Sequence, residues 1–214
     1  MAERQRALLL YTAAAAVGSR LHPRVWHGTR DGETVRLGGE GLWILDPNIP
    51  DHGKPIAAGT RIGHVHLKVA DLELALGFYR GVLGFAVTQR IGRSAAFIAA
   101  GGYHHHIGLN TWESRRGPPP APGSTGLYHL AILYPTRADL ADALRRLIAA
   151  KIPLDGASDH GVSQALYLRD PDGNGVELYW DRPQSEWPVD QAGDLAMVTG
   201  PLDLHALLAE PEPG

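Results

Sequence analysis

Two halves of this chain read alike. Each runs strand, helix, then three more strand-like stretches, with a period of about 60–65 residues. Setting the starts over one another places His64 on His129, Leu67 on Ile132, and one amphipathic helix on the other. A strand–helix unit can recur by chance, but chance has no reason to set histidine opposite histidine. Two such units can pair their sheets. The expected fold is α+β, with two β-α-β-β-β modules in one partly closed curved sheet. Corresponding positions of both halves then meet on its concave side.

The local pattern supports this division. In RIGHVHLKV the residues alternate, with Ile62, His64, His66 and Lys68 on one face and Val65, Leu67 and Val69 on the other. Asp71 can cap a helix in which Leu72, Ala75, Tyr79 and Val82 recur at helical spacing, and Gly84 ends it. Phe85–Val87 and Ala95–Ala99 read as strands around a turn at Ile91–Ser94, and HHHIGLNTW as a fourth strand. ESRRGPPPAPGSTG is a Pro-rich connector. GLYHLAILY then starts the second module, and Thr136 with Asp139 forms a capping box. The helix after it lines one side with Leu140, Ala143, Leu144, Leu147 and Ile148. Ile152–Leu154 is the next expected strand, and Ser158–Trp180 supplies two more around Asp170-Pro171-Asp172-Gly173.

The domain therefore spans 60–182, with modules at 60–115 and 124–182, an N-terminal extension at 1–59 and a C-terminal tail at 183–214. The extension reads as weakly ordered or peripheral, with a helix over Ala7–Val17 and short strands at Val35–Leu37 and Leu42–Leu45. Its Trp26, His27 and His52 show no ligand spacing. The first residues resemble a short signal peptide but lack an A-x-A site, and an ordinary Ala/Leu-rich helix in a cytoplasmic protein is the reading adopted. No apolar run approaches the ~20 residues of a membrane span. A net charge of −3 leaves no basic patch for nucleic acid. With no cysteine, any metal must be held by imidazole and carboxylate.

A redox-active iron takes two neutral imidazoles and one carboxylate on one face, leaving positions open for substrate and dioxygen. His64, His129 and Glu177 fit that need, each in an expected strand. Glutamate inside VELYW would be costly to bury without a partner, and ligation would remove that cost.

The spacing H-x5-L-Y-x2-D-P-x-G-x3-E, from His160 through Tyr167 and Asp170 to Glu177, resembles the signature of extradiol ring-cleavage dioxygenases of the vicinal oxygen chelate superfamily. The likeness covers 60–182 in outline and is closest over 158–180. It implies Fe(II), with Mn(II) as the other candidate, held by His64, His129 and Glu177. It also implies that His160 and Tyr167 orient substrate and oxygen, and that His106 acts as acid/base, with His104 on the same strand face and His105 pointing away. The implied reaction opens the ring of a catechol-like aromatic diol with O2, as in aromatic compound catabolism. Trp112, Tyr128, Tyr179 and Trp180 are candidates for an aromatic pocket. Exposed sheet edges would suit a homo-oligomer. Many enzymes of this type carry four modules, whereas this chain has one pair.

Two rivals share the fold. A glyoxalase-like lyase, isomerase or thiol transferase would use Zn, Ni or Mn, often with a glutamate from the last strand of each module. The first module offers only HHHIGLNT there, without a carboxylate. A small-molecule binding protein would leave the His/Glu/Tyr set without a purpose.

Overall fold

The computed structural model describes residues 26–30, 33–37 and 53–213, and divides the chain into two units at Ala58/Gly59. In the first unit, β1 (Trp26–Arg30) and β2 (Glu33–Leu37) form an antiparallel hairpin with Trp26 opposite Leu37. The expected strand at 35–37 falls within β2. The expected helix at 7–17, the strand at 42–45 and His52 lie outside the described residues.

The second unit carries the repeat. Its first module contains β3 (Val65–Lys68), α1 (Leu72–Leu76), β4 (Ala86–Ile91), β5 (Ala95–Ala99) and β6 (Ile107–Asn110), in sheet order β3-β6-β5-β4. Its second contains β7 (Leu130–Leu133), α2 (Arg137–Ala149), β8 (Gly156–Asp159), β9 (Ser163–Arg169) and β10 (Gly175–Asp181), in order β7-β10-β9-β8. In both, the first strand runs parallel to the last, with Val65 opposite Ile107 and Leu130 opposite Val176. The register therefore makes Ile107 the counterpart of Val176. The modules form two sheets, of four and five strands, where one curved sheet was expected; β3 and β7 are end strands.

Local chemistry explains most of the boundaries. The Asp71 carboxylate accepts from Glu73 N and Leu74 N, opening α1. The helix does not stay α-helical to Val82 as its spacing predicts; Gly77–Val82 widens into a π-type turn. At α2 both bonds of the Thr136–Asp139 capping box are present. Leu140, Ala141, Ala143, Leu144 and Leu147 are buried, at about 1.5–3 kcal/mol for each large side chain. Ile148, expected on that face, is exposed. No strand forms at 152–154. The third position of the module is β8, whose Gly156 and Ala157 pair with Tyr167 and Leu166. Residues 104–106 precede β6, so strand alternation does not govern the three histidines.

One core runs through both modules, from Leu67 and Ile98 to Leu147, Leu178 and Leu207. The turn of the signature stretch ties into it. Asp170, 5% exposed, accepts from Asp172 N, Asn174 N and Asn174 Nδ2, and from the hydroxyl of fully buried Tyr79 at 2.9 Å. Burial, and then the Asp170 charge, push the Tyr79 phenol up. Ala70 N also donates to Asp172 at 2.8 Å. These bonds join the first module to the turn between β9 and β10.

Residues 183–213, expected as a tail, carry a 3₁₀ turn at Gln184–Glu186 and two further elements. β11 (Gly200–Pro201) adds to the free edge of β8, and α3 (Leu204–Leu208) buries Leu207 in the core. Arg137 reaches Glu210 and the Ala206 carbonyl, and Arg145 the Leu208 carbonyl.

Candidate metal centre

Tight pairing of β9 and β10 sets Tyr167 directly opposite Glu177. Cross-strand partners point to one face, so the phenol and the carboxylate meet. Tyr167 OH donates to Glu177 Oε1 at 3.1 Å, and Glu177 Oε2 lies 2.9 Å from His129 Nε2. On the other side, His160 Nε2 is 2.7 Å from Tyr167 OH. Four side chains thus form one connected run: His160, Tyr167, Glu177, His129. Burial, and then the Glu177 charge, push the Tyr167 phenol up to about 12, so it stays a donor across the neutral range.

His129 Nε2 and Glu177 Oε2 fit a metal. Two donors at ~2.1 Å from one ion and at right angles to each other are about 3 Å apart, and these two stand at 2.9 Å. His129 Nδ1 is buried without a hydrogen-bond partner, so the ring's polar contacts run through Nε2 alone. Glycine makes the placement feasible. A Cβ on Gly175 would stand 2.1 Å from Tyr128 O and 2.9 Å from His129 Cβ. Gly175→Ala is expected to push His129 off β10 and to cost about 1–3 kcal/mol by overpacking. Urea unfolding reads the cost, and an unchanged midpoint would count against this close approach.

The site opens on a cleft of about 680 Å³, lined by His64 and Val65 of the first module, His106, His129, Leu130 to Leu133, and Tyr179. His64, His106 and His129 therefore share one cavity. They do not all converge: among the described residues no three His, Cys, Asp or Glu side chains close on one point. The His64 ring lies against His105, 4.4 Å between centroids. His105 thus faces His64 and Phe97 instead of pointing away. Its Nδ1 is 2.7 Å from His104 Nδ1. Burial, and then His64, hold the His105 imidazolium down. The His106 ring takes the Ala100 N–H on Nδ1 at 3.3 Å and stacks beside Tyr103.

The aromatic candidates divide. Tyr179 lines the main cleft, and Tyr128 lines a smaller one of about 230 Å³ with His129 and Tyr167. Trp180 packs on the core, and Trp112 lies beside His66.

The register exposes a feature that spacing alone does not. Glu177 pairs with Ala131 on β7, and its counterpart Gly108 pairs with His66 on β3. A Cβ on Gly108 would stand 2.9 Å from the His66 ring. The first module therefore exchanges the Glu/Ala pair of the second for Gly/His and offers no carboxylate there.

Paired βαβββ modules with their chemistry on the cleft face define the class: residues 61–178 match the Glyoxalase/Bleomycin resistance protein/Dioxygenase superfamily, and the chain belongs to it. Among curated relatives it is 44% identical over 152 residues to a catechol-2,3-dioxygenase of Bacillus subtilis (strain 168), covering 71% of this chain and 52% of that protein. It is 34% identical over 125 residues to biphenyl-2,3-diol 1,2-dioxygenase 3 of Rhodococcus globerulus, covering 56% and 63%. The chain thus spans about half to two thirds of the length of these relatives. A solved glyoxalase/dioxygenase from Nostoc punctiforme superposes with a TM-score of 0.49 at 20% identity, covering 62% of this chain and 100% of that one. Among the described residues no helix is long and apolar enough to cross a membrane.

Proposed function

We propose that this protein is an extradiol-type dioxygenase that opens a catechol-like aromatic diol with O2 at a mononuclear Fe(II) or Mn(II) held by His64, His129 and Glu177. The observation that carries the proposal is the connected run His160–Tyr167–Glu177–His129, on the border of a cleft that also holds His64 and His106. The dioxygenase relatives support the same reading.

When bound, the metal would supply a path for electrons between diol and dioxygen. The chain's own residues bind, orient and move protons. Tyr179 and the apolar residues of β7 give the aromatic ring a wall. His106, in the same cleft, accepts the Ala100 N–H on Nδ1, so Nε2 carries the ring proton and is placed to give it as the acid. Taking a proton from a diol hydroxyl as the base requires Nδ1 to leave Ala100 N–H. Tyr167 places a hydroxyl beside the carboxylate, and His160, once protonated on Nε2, backs it with a donor as negative charge develops on oxygen. Gly108 at the position mirroring Glu177 leaves the first module without a second carboxylate, in keeping with open positions for diol and O2 and against a site with a glutamate from each module.

Oxygen uptake with a panel of catechols, with and without added Fe(II), tests the proposal. Fe(II)-dependent uptake with a yellow ring-opened product is expected. Uptake absent with every catechol, together with turnover of a thiol adduct on Zn or Ni, would move the protein to the lyases. Absence of any stoichiometric metal would move it to the binding proteins. His106→Ala is expected to slow cleavage by about 10²–10⁴-fold; a wild-type rate removes His106 from the proton path.

A further inference from the structure

His160 is held from outside the signature stretch. Its backbone carbonyl accepts from Val198 N at 3.1 Å, and its side-chain Nδ1 lies 3.1 Å from the Val198 carbonyl. Thr199 Oγ1 stands farther from the same nitrogen, at 3.4 Å. A carbonyl can only accept, so this contact is favourable only when Nδ1 carries the proton. The segment cannot drift from this position easily. Upstream, Ala196 N donates to Pro188 O, and Asp190 closes the intervening turn on Ala192 N and Asp194 N. Downstream, Gly200 pairs with Asp159, and Leu202 and Leu207 are buried. Gly161, beside His160, has φ +76°, and a Cβ there would stand 2.9 Å from Pro188 Cγ and 3.2 Å from Val198 Cγ2. The segment lies directly on the His160–Gly161 turn.

We propose that residues 188–202 form a strap that positions His160, with the Val198 carbonyl selecting the Nδ1–H tautomer so that the Nε2 lone pair faces Tyr167. Tyr167 has one hydroxyl hydrogen and two accepting neighbours, His160 Nε2 at 2.7 Å and Glu177 Oε1 at 3.1 Å. With Nδ1–H fixed, a proton arriving at Nε2 completes the run: Nε2–H donates to Tyr167, and Tyr167 to Glu177. The opposite tautomer would set a bare nitrogen against the Val198 oxygen. The consequence for turnover rests on the dioxygenase reading, whereas the tautomer does not.

The test is long-range ¹H–¹⁵N correlation of the imidazoles in the full chain without added metal, with His160 assigned from the His160→Gln protein. A pyrrole-type Nδ1 and a pyridine-type Nε2 are expected. A predominant Nε2–H tautomer, or the averaged pattern of a free imidazole, overturns the proposal. Thr199→Val keeps the carbonyl and is expected to keep the tautomer; loss of the preference there would assign it to the hydroxyl and overturn the role of Val198. Gly161→Ala, which forces the strap outward, is expected to average the His160 nitrogens and to lower kcat about tenfold, with little change in KM. In a His160→Gln background the same change is expected to lower kcat no further. An equal tenfold loss there means the strap acts without His160, and the proposal fails. If His160→Gln alone cleaves catechols at the wild-type rate while the tautomer is as expected, the dioxygenase role of His160 fails and the positioning stands.

Discussion

Glu177→Gln is expected to leave the protein folded and without stoichiometric iron. Catechol-dependent oxygen uptake should fall by more than about a hundredfold, beyond the ~10–100-fold seen when groups that merely support a ligand are changed. The argument is one of charge and shape. The side chain is 13% exposed and is met by the Tyr167 hydroxyl and by His129 Nε2. An amide of the same size keeps an oxygen for Tyr167 and can turn its NH2 toward His129, so the fold loses little, about 1 kcal/mol at most. It lacks the negative charge that a divalent ion needs from its one carboxylate. Metal content by elemental analysis and a thermal melt separate the two effects. A Glu177→Gln protein with full iron would remove Glu177 from the ligand set, and with it the reading of His129 Nε2 and Glu177 Oε2 as neighbouring donors.

Asp170→Ala is expected to give the largest loss of stability, about 3–5 kcal/mol, because it strands several donors at once. The Tyr79 hydroxyl is fully buried, and the Asp172 and Asn174 amides have no other acceptor in the turn. Tyr79→Phe removes only one of these bonds and should cost about 1–2 kcal/mol. Urea unfolding midpoints give both numbers. Equal midpoints for Asp170→Ala and the wild type would show that the tie between modules carries no stability. The aspartate of the signature stretch thus acts as an anchor: it fixes the β9–β10 turn, and that turn sets the register that brings Tyr167 opposite Glu177.

What could be read in the residues beforehand follows the range of the forces involved. The capping box at Thr136 and the alternation of His64, His66 and Lys68 against Leu67 and Val69 depend on neighbours in the chain, and both are present. The two strands around Asp170–Gly173 were legible from the turn residues, whereas the meeting of Tyr167 with Glu177 comes from the pairing register. The repeat carried the longer inference that His64 and His129 belong to one cavity. Other features had no local signal. β8 is a Gly-Ala-Ser-Asp stretch that becomes a strand through pairing with β9, so the apolar Ile152–Leu154 drew attention to the wrong place. His104 to His106 follow a glycine turn and lie before the paired residues begin, so face alternation could not assign them. The hold on His160 comes from a main-chain carbonyl 38 positions away, which no side-chain pattern encodes.

The exchange across the first and last strands of each module has a wider meaning. A duplicated scaffold offers two seats for an acidic donor at matching register positions. Here a bulky and a small side chain have traded places across one strand pair: His66 faces Gly108 where Ala131 faces Glu177. Steric demand is roughly conserved, so both halves keep the same topology while only one keeps the acid. Divergence after duplication could then retire one seat at little cost to folding, and a scaffold built symmetric would acquire a front and a back.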